Sequence, residues 1–186
     1  MLDLLDTITD VFFSPSKGLS KASRVSIKKT VLFYFVFLLL IFWPMMQKLY
    51  PVFNKAFFPV LFILKYFISL AVIFLFTALL NGIATFLYKK NVDTKSIFST
   101  LIFCLLPFVF LPLVYGLFAS KGVAIAENIL YFWSFVLSLQ AVRKLYNISF
   151  VKSFIILMLP FVFVLSFHIL LFTYLVTLLG GLALSL

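Results

Sequence analysis

The stretch IFSTLIFCLLPFVFLPLVYGLF, residues 97–118, carries no charged side chain. As a helix its 22 residues are about 33 Å long at about 1.5 Å per residue, and a bilayer's hydrocarbon core is about 30 Å thick. Such a run reads as a membrane span. Four more segments have the same character, at 30–47, 65–88, 123–142 and 153–179, joined by short polar connections that hold Asn54, Lys89, Lys121 and Asn147. The composition agrees, with 65% hydrophobic and only 11% charged residues in a chain of 186. The expected fold is an all-α integral membrane protein, a five-transmembrane-helix bundle preceded by cytoplasmic amphipathic helices. Residues 1–29 form the cytoplasmic segment and 30–186 the membrane domain.

Two runs exceed the span length. Lys65 interrupts 56–88, so residues 57–64 read as an outer interfacial piece with Lys65 snorkelling at the start of the span. In the uncharged run from Ser153 to the end, Pro160 is expected to kink the helix and Gly180-Gly181 to end it.

The charges test the threading. Lys17, Lys21, Arg24, Lys28 and Lys29 precede the first span, Lys89, Lys90 and Lys95 follow the second, and Arg143, Lys144 and Lys152 follow the fourth. These are eleven of the 15 basic residues; Lys48, Lys55, Lys65 and Lys121 fall in the alternate positions. Basic residues collect on the cytoplasmic side, which places the amino terminus inside, the carboxyl terminus outside and the protein in the cell membrane. The net charge of +10 is therefore topological, and nucleic acid is not implied. Asp3, Asp6 and Asp10 occupy the place where a signal peptide would be basic, and no apolar run starts before Thr30, so a cleavable leader is not expected. No lipid-anchor motif is indicated.

Residues 12–24, FFSPSKGLSKASR, have a helix start at Ser14-Pro15, where Ser can cap and Pro gives up a donor that had no partner. Lys17, Lys21, Arg24 and Lys28 recur at i, i+4, i+7 and i+11, a basic stripe suited to anionic headgroups or a partner protein. Upstream, Met1, Leu5, Ile8 and Phe12 share one face and the three aspartates another. The acidic face would be repelled by anionic lipid, so it points to the cytosol, a basic protein or the neighbouring basic helix. The same segment also reads as a solvated topogenic stretch supplying positive-inside charge.

Intramembrane polar residues are few. Lys65, Glu127 and His168 fall at similar outer depths and form a candidate polar cluster for an anionic headgroup or a proton. Each also has a plain reading: snorkelling for Lys65, a helix-start carboxylate for Glu127 and a backbone-bonded neutral ring for His168. Thr77 and Asn81 on the second span, with Gln140 at a comparable depth on the fourth, suit helix-to-helix hydrogen bonds. Cys104 reads as a small buried apolar residue. One Cys, one His and five acidic residues leave little for a metal site or an acid/base pair, and no HExxH, GxSxG or phosphate-cradling Gly loop is present. Neither enzyme activity nor a cofactor is expected.

The Phe12-Phe13-Ser14-Pro15 entry, the basic helix, five spans, Leu106-Pro107 in the third span and Trp133 in a fourth that closes on a basic loop resemble the Yip-one domain family. Its eukaryotic members interact with Rab GTPases in the early secretory pathway. The Asp-Leu-Tyr-Gly-Pro motif and long cytosolic leader of those proteins are absent, so the chain looks like a short prokaryotic-type member. The resemblance implies a non-enzymatic scaffold that recruits or organises partners at the cytoplasmic surface, with the bilayer's anionic lipids, a second copy or another membrane protein as partner. The alternative is a small permease, or its membrane subunit, for a lipid or small solute.

Overall fold

A computed structural model describes residues 2–49, 58–117, 120–160 and 162; His168 and the carboxyl end of the fifth expected span lie outside them. Every regular element among the described residues is helical: α1 Leu2–Phe13, α2 Pro15–Ala22, α3 Ile27–Leu49, α4 Phe58–Tyr88, α5 Thr94–Cys104, a 3-10 turn Leu106–Phe110, α6 Leu111–Leu117, α7 Ser120–Tyr146 and α8 Phe150–Pro160. Three segments are long and apolar enough to cross a membrane, Pro59–Tyr88, Thr94–Leu117 and Gly122–Tyr146. α4 runs unbroken through Lys65, so residues 58–64 continue the helix and are not a separate interfacial piece. Lys is itself a good helix former, so a single one does not break the helix.

The Thr94–Leu117 segment is central, being 61% buried where Pro59–Tyr88 is 17% buried. It is also broken. Pro107 has no N–H and Phe108 N–H donates to Leu105 O at 3.0 Å, so the Cys104 carbonyl has neither a three-residue nor a four-residue partner in its own helix. Ser134 Oγ of α7 donates to it instead, at 2.8 Å and buried. Around this point three hydrophobic clusters form. Tyr34, Phe37, Phe62, Tyr66 and Ile102 join α3, α4 and α5. Leu80, Ile97, Leu139, Tyr146 and Ile156 join α4, α5, α7 and α8. Val11, Leu19, Phe103, Cys104 and Leu137 join α1 and α2 to the bundle. Thr30 and Ser99 hydroxyls bond at 2.7 Å between the first turn of α3 and the second turn of α5, and the Phe33 and Phe103 rings stack one turn further on, so α3 and α5 run parallel.

α1 and α2 form a hairpin. Ser14 takes the position before α2 and Pro15 its first turn, as the sequence suggests, but the Ser14 side chain makes no cap bond; its backbone carbonyl accepts from Lys17 and Gly18 N–H. The helices touch at Gly18, where a Cβ would stand 2.6 Å from Val11 Cα. The packed face of α1 takes in Leu4, Thr7, Ile8, Val11 and Phe12, while Leu5 is 55% exposed, so the expected face holds at Ile8 and Phe12 and is rolled away from Leu5 toward Leu4 and Val11. The burial of Val11, Leu19 and Ala22 against Phe103, Cys104 and Ala141 explains it: the face is chosen by the bundle, not by a flat surface.

Replacing Gly18 by Ala forces α1 and α2 apart and is expected to cost about 1–3 kcal/mol as overpacking. Gly82→Ala, with nothing within 4 Å of the added Cβ, is expected to be neutral or stabilising by up to about 1 kcal/mol. Thermal unfolding in detergent compares them; equal midpoints would remove the close crossing.

Candidate functional site

Three basic segments far apart in sequence meet at one end of the bundle. Lys144 Nζ of α7 donates to Ser16 O and, at 3.1 Å, to Ser16 Oγ. Lys152 Nζ stands 5.3 Å over the Tyr88 ring. Tyr146 OH donates to Asn81 Oδ1 at 3.1 Å, and Asn81 also holds Val92 through both its N–H and its carbonyl, at 3.3 and 3.0 Å. The 3.0 Å bond from Asn81 Nδ2 to Val92 O pins the α4–α5 connection, which leaves α4 through Lys89 at φ 53°.

The basic stripe takes a different form from the sequence pattern. α2 stops at Ala22, and Arg24 lies in the turn before α3, so Lys17, Lys21, Arg24 and Lys28 do not continue along one helix. Lys21 Nζ lies 2.6 Å and Lys17 Nζ 3.7 Å from Asp10 Oδ2, an oxygen shut away from water whose partners are these two ammoniums. Of the acidic face of α1, Asp10 thus meets the neighbouring basic helix, one of the three partners the sequence allowed, while Asp3 and Asp6 do not pair with it. The hydrogen bond to Lys21 holds the Asp10 carboxyl below its ordinary 3.8, with the Lys17 charge adding and desolvation opposing. The same bond raises Lys21 above 10.5. Arg24 and Lys28 are exposed.

The other expected residues are placed as follows. Glu127 accepts a hydrogen bond from Tyr115 OH, which ties α7 to α6; Lys65 is exposed on α4; His168 lies outside the described residues. Thr77 is buried and donates to Ile73 O of its own helix at 2.8 Å. Asn81 makes its contact across helices with Tyr146, while Gln140 is exposed and shares a cavity of about 580 Å³ with Ser16, Arg143 and Lys144. Asn81 takes as its partner Tyr146, six residues further along α7 than Gln140, and Gln140 faces that cavity. Among the described residues no three His, Cys, Asp or Glu side chains gather where a metal could sit.

Sequence reasoning missed Gly18 and Tyr146, and read Ser134 only as one of a packing face with Tyr131, Ser138 and Ala141. For Ser134 a signal existed: Pro107 takes a donor from its helix, and a hydroxyl on a neighbouring helix is the economical way to satisfy the carbonyl left over in the preceding turn where water is absent.

A multi-pass, all-helical membrane protein is what these helices define. Residues 9–172 match the Yip1 domain, and the chain belongs to that family. No curated protein and no solved structure matches it.

The Asp10 pair gives the hairpin a pH signature. A carboxyl lowered on folding stabilises above its ordinary value and loses that contribution as pH falls through the lowered one; the raised Lys21 acts below 10.5 and is lost above its raised value. Protease cleavage of the amino-terminal segment is expected to be slowest between these limits and to quicken below about pH 4. Asp10→Asn should flatten the acid limb, and an unchanged limb would assign it to other groups.

Proposed function

We propose that the chain is a five-span, non-enzymatic scaffold of the cell membrane, with α3 and the segment beginning at α8 as the two spans beyond the three candidates, its amino terminus cytoplasmic and its carboxyl terminus outside. Residues 1–29 act at the cytoplasmic face and 30–186 in the bilayer. The observation that carries the reading is the meeting of the hairpin with the loops of Lys89–Lys95 and Arg143–Lys152 at one end, through Lys144–Ser16, Asn81–Tyr146 and Lys152–Tyr88. Positive charge gathered at one end of a bundle supports a cytoplasmic orientation and diffuse attraction to anionic lipid. A hairpin locked onto that end by packing and ion pairs offers a partner protein a rigid platform, with little ordering left to do on binding. The exposed apolar length of α4, from Val60 through Phe67 to Phe86, leaves room for a second copy or another membrane protein beside it.

One observation favours the permease. A cavity of about 450 Å³ lies beside the break in the third span, among Val72, Phe76, Leu105, Phe108, Ser134 and Phe135. Irregular backbone at membrane depth accompanies transport sites elsewhere, but this lining is nearly all apolar and suits a lipid chain better than a polar solute.

Affinity capture of the detergent-extracted protein, with mass spectrometry of co-purifying proteins and lipids, separates the readings. The scaffold is expected to bring down a stoichiometric partner that is lost when Lys17, Lys21, Arg24 and Lys28 become Gln and kept when Glu127 becomes Leu. Loss of a reconstituted lipid or solute flux in Glu127→Leu, with no partner captured, would establish the carrier instead.

A further inference from the structure

Of the charges at the amino-terminal end without an ion-pair partner among the described residues, four stand together: Asp3 and Asp6 on α1, Arg24 in the turn and Lys29 on α3. All four line a single cleft of about 430 Å³, together with Lys21, Leu4 and the turn before α3. Lys21 is committed to Asp10 at 2.6 Å, so the cleft presents two carboxylates facing two cations, open to a ligand that carries both signs. The cleft sits where α3 begins, and the chain turns apolar immediately after it, from Thr30 on. Lys29, Leu32, Val36 and Leu40 follow one another at helical spacing, so one face of α3 carries the cation at the cleft and then an apolar rail. The rail is bare: Leu32 is 65%, Val36 48% and Leu40 56% exposed.

We propose that this cleft is a binding site for an aminophospholipid, a lipid with a phosphate and a primary ammonium in its headgroup. Arg24 and Lys29 take the phosphate, Asp3 and Asp6 accept hydrogen bonds from the ammonium, and one acyl chain lies along Leu32, Val36 and Leu40. Arg offers paired donors that match phosphate oxygens. Carboxylates discriminate a primary ammonium, which donates hydrogen bonds, from a quaternary one, which does not. An anionic lipid without an amine would leave both aspartates facing negative charge. The diffuse attraction of the basic end for anionic lipid is a separate matter, since it needs no fitted site. The inference goes beyond the scaffold role and rests on that reading only in taking α3 as a span, which sets the cleft at the membrane surface whichever partner the bundle serves.

Native mass spectrometry of the full chain, with phosphatidylethanolamine, phosphatidylcholine and phosphatidylglycerol of identical acyl chains, tests it. Phosphatidylethanolamine is expected to be retained about tenfold better than the other two, the discrimination that one charge-assisted hydrogen bond supplies. The double variant Asp3→Asn, Asp6→Asn should lose that preference and gain phosphatidylglycerol. Arg24→Gln with Lys29→Gln should weaken retention of all three. All four side chains are exposed, so unfolding midpoints should not move, which separates lost binding from lost folding. Glycerophosphoethanolamine, the same headgroup without chains, should not displace the lipid at equal concentration, and displacement would overturn the role of the α3 rail. Equal retention of the three lipids, or a preference that survives in Asp3→Asn, Asp6→Asn, would overturn the site.

Discussion

The carbonyl of Cys104 is the point on which the bundle turns. In hydrocarbon a backbone acceptor has no water to fall back on, so a helix broken at membrane depth needs a partner from elsewhere in the protein. Pro107 creates that need, since it cannot donate, and the tightened turn diverts the N–H of Phe108 to Leu105. Ser134 meets it from α7. One hydrogen bond thereby sets how far along α5 the fourth segment sits. With that register, Ile97 and Leu101 share a cluster with Leu139 and Val142, and Tyr146 reaches Asn81 at the basic end.

The break also shapes the seat for the hairpin. Phe103, Cys104 and Leu106 belong to the same cluster as Val11, Leu19 and Ala22, and Phe12 sits edge-on to Phe110 and Trp133, with centroids 5.6 Å from each. Trp133 is near the middle of Gly122–Tyr146, so the tip of the hairpin reaches well up the bundle. Phe13, next in sequence, is 84% exposed. Gly18 lets the two short helices lie backbone to backbone, and Asp10 with Lys17 and Lys21 closes the pair on its polar side. Those ammoniums are partly solvated, so the ion pairs set orientation more than stability, and the buried apolar face holds the hairpin down.

Much of this could be read from the residues. The apolar runs located the helices, and the sorting of Lys and Arg brought the right loops together. The Phe-Phe-Ser-Pro entry pointed to the family. What the sequence withheld was rotation about helix axes. Depth along a helix follows from counting residues, which is why Asn81 and Gln140 paired on paper. Azimuth follows from packing, and packing turned Gln140 to the cavity beside Ser16 and Lys144 and gave Asn81 to Tyr146. The same gap hid the buried face of α1, because a short helix with scattered apolar residues offers two neighbouring faces and only the bundle selects one. Lys65 misled for another reason: a charge was taken as a boundary where a long helix simply carries it through. The continuity of the basic stripe failed because a turn at Ser23–Ser26 leaves no strong mark in a run of Ser, Arg and Val.

The bond between Ser134 and the Cys104 carbonyl can be tested alone, because Ser138 on the same helix leaves that carbonyl untouched: it donates to the Ser134 carbonyl at 2.9 Å and otherwise meets only the Cys104 thiol. Reversible unfolding of Ser134→Ala and Ser138→Ala in the same detergent is the direct comparison. The account expects Ser134→Ala to lose about 1–3 kcal/mol, the cost of stranding a buried acceptor, and Ser138→Ala to lose less than about 0.5 kcal/mol. Equal stability of the two variants would mean the broken span satisfies its carbonyl without α7, and the register built on that bond would fall with it.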